Sequence, residues 1–200
     1  RAIEPTQFDA NNPKRTVHLK LTGDMERYAW SFDNLVLSED SQILIRRGET
    51  VQFVLQNTTM MSHPIHLHGH FFRVLNGQGD HSPLKHSVNV PAMRKVTIEF
   101  LANEDKDWFF HCHNLYHIKA GMVRVISYEG SSELNLDYLS NAFSDRYWYT
   151  FANVGLQNNV LSGMLRFENT RHAIDVEYDW DYEGGYELEA LYERSFNRFF

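Results

Sequence analysis

In His111-Cys112-His113 a cysteine stands between two histidines, and His117 and Met122 follow Cys112 at steps of five residues. A second cluster, His63-Pro64-Ile65-His66-Leu67-His68-Gly69-His70, lies some forty residues earlier. Thiolate and imidazole together suit copper and zinc. If these clusters lie on strands, alternation sends His111 and His113 to one face and Cys112 to the other, so one short strand can serve two metal sites. Cys112 and His117, with His63 from the first cluster and Met122, make a set of two histidines, one cysteine and one weak thioether. That is the donor set of a blue-copper electron-transfer centre. Zinc is the next metal to weigh, and the methionine and the excess of histidine favour copper. By the same alternation His66 and His68 share a face and can meet His111 and His113 across a sheet, as half of a histidine-only copper cluster.

These residues need a scaffold of strands. Apolar alternation or short apolar runs occur at Val17–Leu21, Gln42–Arg46, Val51–Leu55, Phe71–Leu75, Ser87–Val90, Val96–Phe100, Trp108–Phe110 and Met122–Tyr128, with turn residues between. Short strands at this spacing predict an all-β sandwich or barrel, and no helical period stands out before about residue 130. Near Glu129-Gly130-Ser131-Ser132 the character changes. Beyond it histidine is rare, and His172–Tyr182 sets Ile174, Val176, Tyr178, Trp180 and Tyr182 on one face against Asp175, Glu177, Asp179 and Asp181 on the other. The expected organisation is a domain over 1–130 and an antiparallel, aromatic-rich strand extension over 131–200, with about four strands in the extension.

Composition bounds the function. The chain has 200 residues, a net charge of -7 and a single cysteine. The charge argues against nucleic acid as a partner, and one cysteine excludes an internal disulfide framework. No apolar run is long enough for a membrane-spanning helix. The chain begins with Arg1 rather than methionine, so a fragment of a longer protein is expected.

The two histidine clusters resemble the C-terminal copper motifs of the multicopper oxidase family. Residues 1–130 are similar to the third cupredoxin domain of its periplasmic copper-resistance subgroup. Leu21-Thr22-Gly23-Asp24-Met25-Glu26-Arg27-Tyr28, Met60-Met61-Ser62-His63-Pro64 and His113-Asn114-Leu115-Tyr116-His117 carry that resemblance. It implies a Greek-key cupredoxin β-sandwich. It implies a complete type 1 copper site from His63, Cys112 and His117 with Met122 axial, and an exposed imidazole at His117 where electrons arrive. His66 would serve type 2 copper, and His68, His111 and His113 the type 3 pair. The family's cluster draws on eight histidines and only four match here, so an N-terminal cupredoxin domain is the expected partner that supplies the rest. The implied reaction is oxidation of Cu(I) or a phenol-like reductant, with Cys112, His111, His113 and His117 carrying electrons toward O2, in periplasmic copper tolerance. The competing expectation is a stand-alone type 1 electron-transfer or copper-binding cupredoxin without oxidase activity.

His70 is expected to be structural, and His86 a hydrogen-bonding neighbour rather than a ligand. Met60, Met61 and Met93 are expected to fill space. In the tail, Arg146-Tyr147-Trp148-Tyr149 and Tyr186–Arg194 resemble strands of the outer-membrane copper-resistance protein. Strands of about ten alternating residues also suit an outer-membrane barrel, which would add a membrane association. The alternative is a soluble antiparallel meander.

Overall fold

A computed structural model describes residues 1–25, 29–130 and 146–196. The stretch Glu26-Arg27-Tyr28 of the copper-resistance resemblance, and residues 131–145 beside the expected boundary, lie outside the described residues. The chain divides into two compact units, Arg1–Ser144 and Asp145–Phe200.

The first unit is built from two sheets. One contains β1 (Lys14–Asp24), β2 (Ala29–Phe32), β4 (Thr50–Asn57), β6 (Phe72–Val74), β7 (Leu84–Lys85) and β9 (Lys95–Leu101), in the order β2-β1-β4-β9-β6-β7. The other contains β3 (Gln42–Ile45), β5 (His63–Leu67), β8 (Ser87–Val90), β10 (Trp108–Cys112) and β11 (Val123–Tyr128), in the order β3-β11-β10-β5-β8. β1 runs parallel to β4, and β3 parallel to β11. A hairpin joins only antiparallel neighbours, so these pairs require the long crossovers of a sandwich.

The alternation read from the sequence is what closes this sandwich. Leu19 and Leu21 of β1, Phe53 and Leu55 of β4, and Ile98 and Phe100 of β9 point into one apolar cluster with Ile65 and Leu67 of β5, Phe110 and Cys112 of β10, and Ile126 of β11. Phe53 meets Phe100 and Phe110 edge-on, at centroid distances of 5.3 and 5.0 Å. These are the T-shaped contacts that aromatic rings favour. Arg124 of β11 is fully buried, yet its guanidinium donates to the carbonyls of Phe32, Leu35 and Val123, so the charge stays solvated by the chain.

Some elements were not expected from the sequence, β2 and a short helix among them. Ala29–Phe32 is a strand that is buried on both faces, so it shows no alternation to detect. Leu115–Lys119 forms a one-turn helix, α1, where no helix was expected. Asn114 caps it, its side-chain oxygen accepting from the Tyr116 N–H at 3.1 Å. A helix of five residues is too short to carry a visible period.

The second unit is one antiparallel sheet of β12 (Tyr149–Leu156), β13 (Val160–Glu168), β14 (His172–Asp181) and β15 (Gly185–Arg194), in sequence order. Its registers align the faces across all four strands. Trp180 sits beside Leu161 and Tyr186, Val176 beside Leu165 and Ala190, and Ile174 beside Phe167 and Tyr192. On the opposite face Glu177 pairs with Glu189 and Asp179 with Glu187, while Arg166 bonds Asp175 at 2.8 Å. The apolar face is open in this unit: Tyr186 is 84% and Leu188 64% exposed.

Candidate metal centre

Strands β5 and β10 are neighbours, with His66 opposite His111 and Ile65 opposite Cys112. This register determines what each face receives. Cys112 and His63 turn into the sandwich, and His66 and His111 turn out of it.

Inside, His63, Cys112 and His117 bring one donor atom each to within 4.8 Å of one another. Cys112 Sγ lies 3.8 Å from His63 Nδ1 and 3.6 Å from His117 Nδ1, and the two Nδ1 atoms are 3.1 Å apart. All three side chains are fully buried. Thr59 Oγ1 engages His63 Nε2 at 2.7 Å, which turns the other ring nitrogen to the thiol. Asn114 Nδ2 stands 3.4 Å from His117 Nε2. The segment between β10 and β11 closes on itself: the Cys112 N–H donates to the Met122 carbonyl at 3.1 Å, and the Met122 N–H to the His117 carbonyl at 3.0 Å. Met122 is fully buried in the same apolar cluster as Cys112. Gly121 permits this loop, because its φ is +112° and a Cβ there would stand 2.2 Å from Val36 Cγ1.

Burial holds these groups uncharged before any metal arrives. It lowers His63 to about 4, with the neighbouring His117 adding to the effect, lowers His117 to about 4, and raises Cys112 to about 11. Two neutral imidazoles and a thiol, with a buried methionine in the same apolar cluster as the thiol, fit copper well. The donor set is soft, and only the thiol has to lose a proton.

The low values of the imidazoles have a consequence for the metal-free chain. An unfolded histidine takes up a proton near pH 6.5, whereas these rings do so only near pH 4. Between those limits the unfolded state binds more protons, so stability rises with pH and falls on acidification. We expect a loss approaching about 1.4 kcal/mol per pH unit for each ring as pH drops from 6.5 to 4, and no further loss from them below that. Denaturant melts of metal-free chain across this range measure it, and a flat profile would contradict the buried neutral pair.

Outside, the other four histidines gather on the solvent side. His68 Nε2 approaches His111 Nε2 to 3.0 Å. The His66 ring centroid lies 4.5 Å from that of His68, 5.6 Å from His111 and 5.8 Å from His113. His66 Nδ1 donates to the His86 carbonyl at 2.7 Å and His111 Nδ1 to the Cys112 carbonyl at 2.9 Å, so in both rings Nε2 is the nitrogen left to act as a metal donor. Among the described residues, His63, Cys112 and His117 are the one such group of three whose donor atoms converge this closely. The outer four are close but do not by themselves enclose an ion.

Other expectations meet the structure as follows. His117 is not exposed; its imidazole is fully buried, with Leu115 and Tyr116 of α1 exposed beside it instead. The cause is the capped helical turn, which folds His117 under the chain. His70 is buried, donating to the His68 carbonyl at 3.1 Å and meeting Tyr128 Oη at 2.7 Å, a structural role. His86 supplies its carbonyl to His66 as described. Met60 and Met93 are exposed, and only Met61 packs against the core. Sequence reasoning missed Trp30, Thr59 and Asn114. A threonine four residues before a histidine, as Thr59 is before His63, carries no signal of its own.

The family model described as Multicopper oxidase matches residues 10–132. Copper resistance protein A of Pseudomonas syringae pv. tomato is 40% identical over 121 residues, which is 60% of this chain and 20% of that protein. Multicopper oxidase MmcO of Mycobacterium tuberculosis is 34% identical over 125 residues, 62% of this chain and 25% of that protein. The chain thus spans between a fifth and a quarter of the length of these curated relatives. Among solved structures, McoA multicopper oxidase of the hyperthermophile Aquifex aeolicus has the same fold over 62% of this chain and 31% of its own, with a TM-score of 0.52 at 20% identity.

Proposed function

The chain belongs to the multicopper oxidase family, whose cofactor is copper, and from that premise we propose that it is the C-terminal copper-binding part of an oxidase of the copper-resistance type. His63, Cys112 and His117 would hold type 1 copper, with Met122 as a further, weak ligand. His66 serves type 2 copper, and His68, His111 and His113 the type 3 pair. An N-terminal cupredoxin domain supplies the remaining ligands. The assembled protein oxidises Cu(I) or a phenol-like reductant, reduces O2 to water in the periplasm, and serves copper tolerance. The observation that carries this reading is the buried convergence of Cys112 Sγ with the Nδ1 atoms of His63 and His117.

When bound, copper supplies one-electron redox chemistry and the reduction of O2. The chain's own residues supply the geometry. Thr59 and Asn114 address the outer nitrogens of His63 and His117 and leave their inner ones to the site. The sandwich core excludes water from the thiol. Cys112 is joined by one peptide bond to His111 and by another to His113. The His111 Nδ1–H bond to the Cys112 carbonyl adds a direct hydrogen-bonded link between the inner and outer faces. Exposed Leu115 and Tyr116, next to buried His117, offer an apolar landing surface for a reductant.

The second reading is a cupredoxin that binds copper or carries electrons without oxidase activity. It is favoured by the single three-ligand group among the described residues. Oxygen consumption separates the two. We expect the copper-loaded chain alone to show no O2 uptake above background. Uptake should appear when a domain bearing the complementary His-x-His pairs is added. Four-electron turnover by monomeric chain alone would refute the need for that partner.

For the tail we propose a strand segment of an outer-membrane-like barrel. Its strands of 8 to 10 residues, one apolar face and one acidic face support this reading. A barrel of eight or more strands needs further strands besides these four.

A further inference from the structure

Trp30 is the largest fully buried side chain among the described residues, and within the apolar cluster it lies against the candidate metal centre. Its indole stacks on the His117 imidazole, with centroids 4.0 Å apart and planes at 23°. The same indole meets His63 edge-on at 5.3 Å and 62°. One aromatic plane thus touches both histidines of the buried cluster. Asn114 Nδ2 stands 3.4 Å from His117 Nε2, a long hydrogen bond.

The backbone is arranged to put the indole there. Gly23 of β1 is the direct register partner of Trp30 on β2. A Cβ at Gly23 would stand 2.1 Å from Trp30 Cε3 and 2.4 Å from Cζ3. Only glycine lets the indole lie flat over β1 at this point, and any larger residue must push it off its place against His117. The Trp30 carbonyl also lies close to Gly121, the residue before Met122. Gly23 and Gly121 thus both border Trp30.

We propose that Trp30 is a positioning residue of the type 1 site, holding the His117 and His63 imidazoles in the planes that direct both Nδ1 atoms at Cys112 Sγ. The proposal rests on the type 1 reading of that cluster. In the metal-free protein the stack keeps the donor atoms assembled, so the site is preorganised and copper binding has little rearrangement to drive. With the metal bound, ring orientation sets the overlap between ligand and ion, and hence the spectrum and the affinity.

The experiment compares the full chain with its Trp30→Leu, Trp30→Phe and Gly23→Ala variants. Phe53→Leu is the control, an equally buried aromatic that touches neither histidine in its ring contacts. The first readout is NMR of the metal-free chain, where the stacked indole should shift the His117 ring protons upfield. The second is the visible and paramagnetic-resonance spectrum of the Cu(II)-loaded chain, with the Cu(II) dissociation constant. In Trp30→Leu the upfield shift should vanish, the thiolate band should weaken or move, and affinity should fall by about 10- to 100-fold, the usual effect of losing a residue that orients a ligand. Trp30→Phe should recover most of both signals. Gly23→Ala should move them in the direction of Trp30→Leu with Trp30 still present. Phe53→Leu should lower the melting temperature and leave shift and spectrum alone.

Wild-type band and affinity in Gly23→Ala, or in a folded Trp30→Leu, would overturn the proposal. An equal disturbance from Phe53→Leu would overturn it as well, by showing that general core damage suffices. A colourless Cu(II)-loaded wild-type chain is a different failure, that of the type 1 reading itself.

Discussion

Cu(II)-loaded Cys112→Ser is expected to be colourless and to bind copper far more weakly than the wild-type chain, which is expected to be blue. Cys112 is the chain's single thiol, so no other side chain can supply the copper–thiolate bond. The substitution barely changes volume, and it puts a hydroxyl where sulfur sat fully buried among apolar groups. A buried hydroxyl without a good partner costs about 1–3 kcal/mol, so some stability is lost with the colour. Cys112→Ala separates the two effects. It removes the thiolate without adding a hydroxyl, and it should also be colourless. Zinc provides the control for metal choice: it occupies Cys and His sites without colour, being d10. If Cys112→Ser stays blue, the assignment of the cluster is wrong. A wild-type chain that holds zinc firmly but refuses Cu(II) would assign the site to the other metal.

The second large effect concerns the sheet of β12–β15. Chain 1–130 alone should keep the blue spectrum while losing the tendency of the full chain to associate. All the ligands named for the type 1 site lie within 63–122, in the first compact unit. The tail sheet presents Trp180, Tyr186, Leu188 and Tyr192 on one continuous open face, each about half exposed or more. An apolar surface of that extent drives association unless lipid, detergent or protein covers it. In buffer the full chain should therefore run as oligomers several times the mass of the 1–130 fragment, and mild detergent should reduce that difference. Gel filtration with light scattering measures it. Equal masses with and without the tail would remove the barrel proposal. Loss of colour in 1–130 would show that the cupredoxin domain does not end near residue 130.

How much of this was legible in the sequence depends on the kind of signal. The strands of the sandwich follow from alternation, because Leu19/Leu21 and Phe53/Leu55 repeat every second residue and point to one core. The two faces of β14 were readable for the same reason, and the pairing of those faces with β13 and β15 follows from tight turns. The metal clusters were legible because cysteine flanked by histidines is rare and its chemistry narrow. What escaped notice depends on contacts across the fold. Ala29–Phe32 is buried on both faces and shows no period. Trp30 reaches His117 only because β2 folds back on β1 opposite Gly23, a relation between strands rather than between neighbours. The burial of His117 arises from a single helical turn whose one local cue is Asn114 at its start.

The pairing of β10 with β5 makes colour a readout of alignment. His111 faces His66 and Cys112 faces Ile65, and a slip of one residue between these strands would exchange every inward side chain for an outward one. Cys112 would then open to solvent and a histidine would take its place in the apolar interior. A misaligned chain could be compact and rich in strand, indistinguishable by far-ultraviolet dichroism, and still fail to turn blue. Appearance of the blue band during copper-supplemented refolding therefore times the locking of one particular strand pair, and chains trapped out of step stay pale however much sheet they contain.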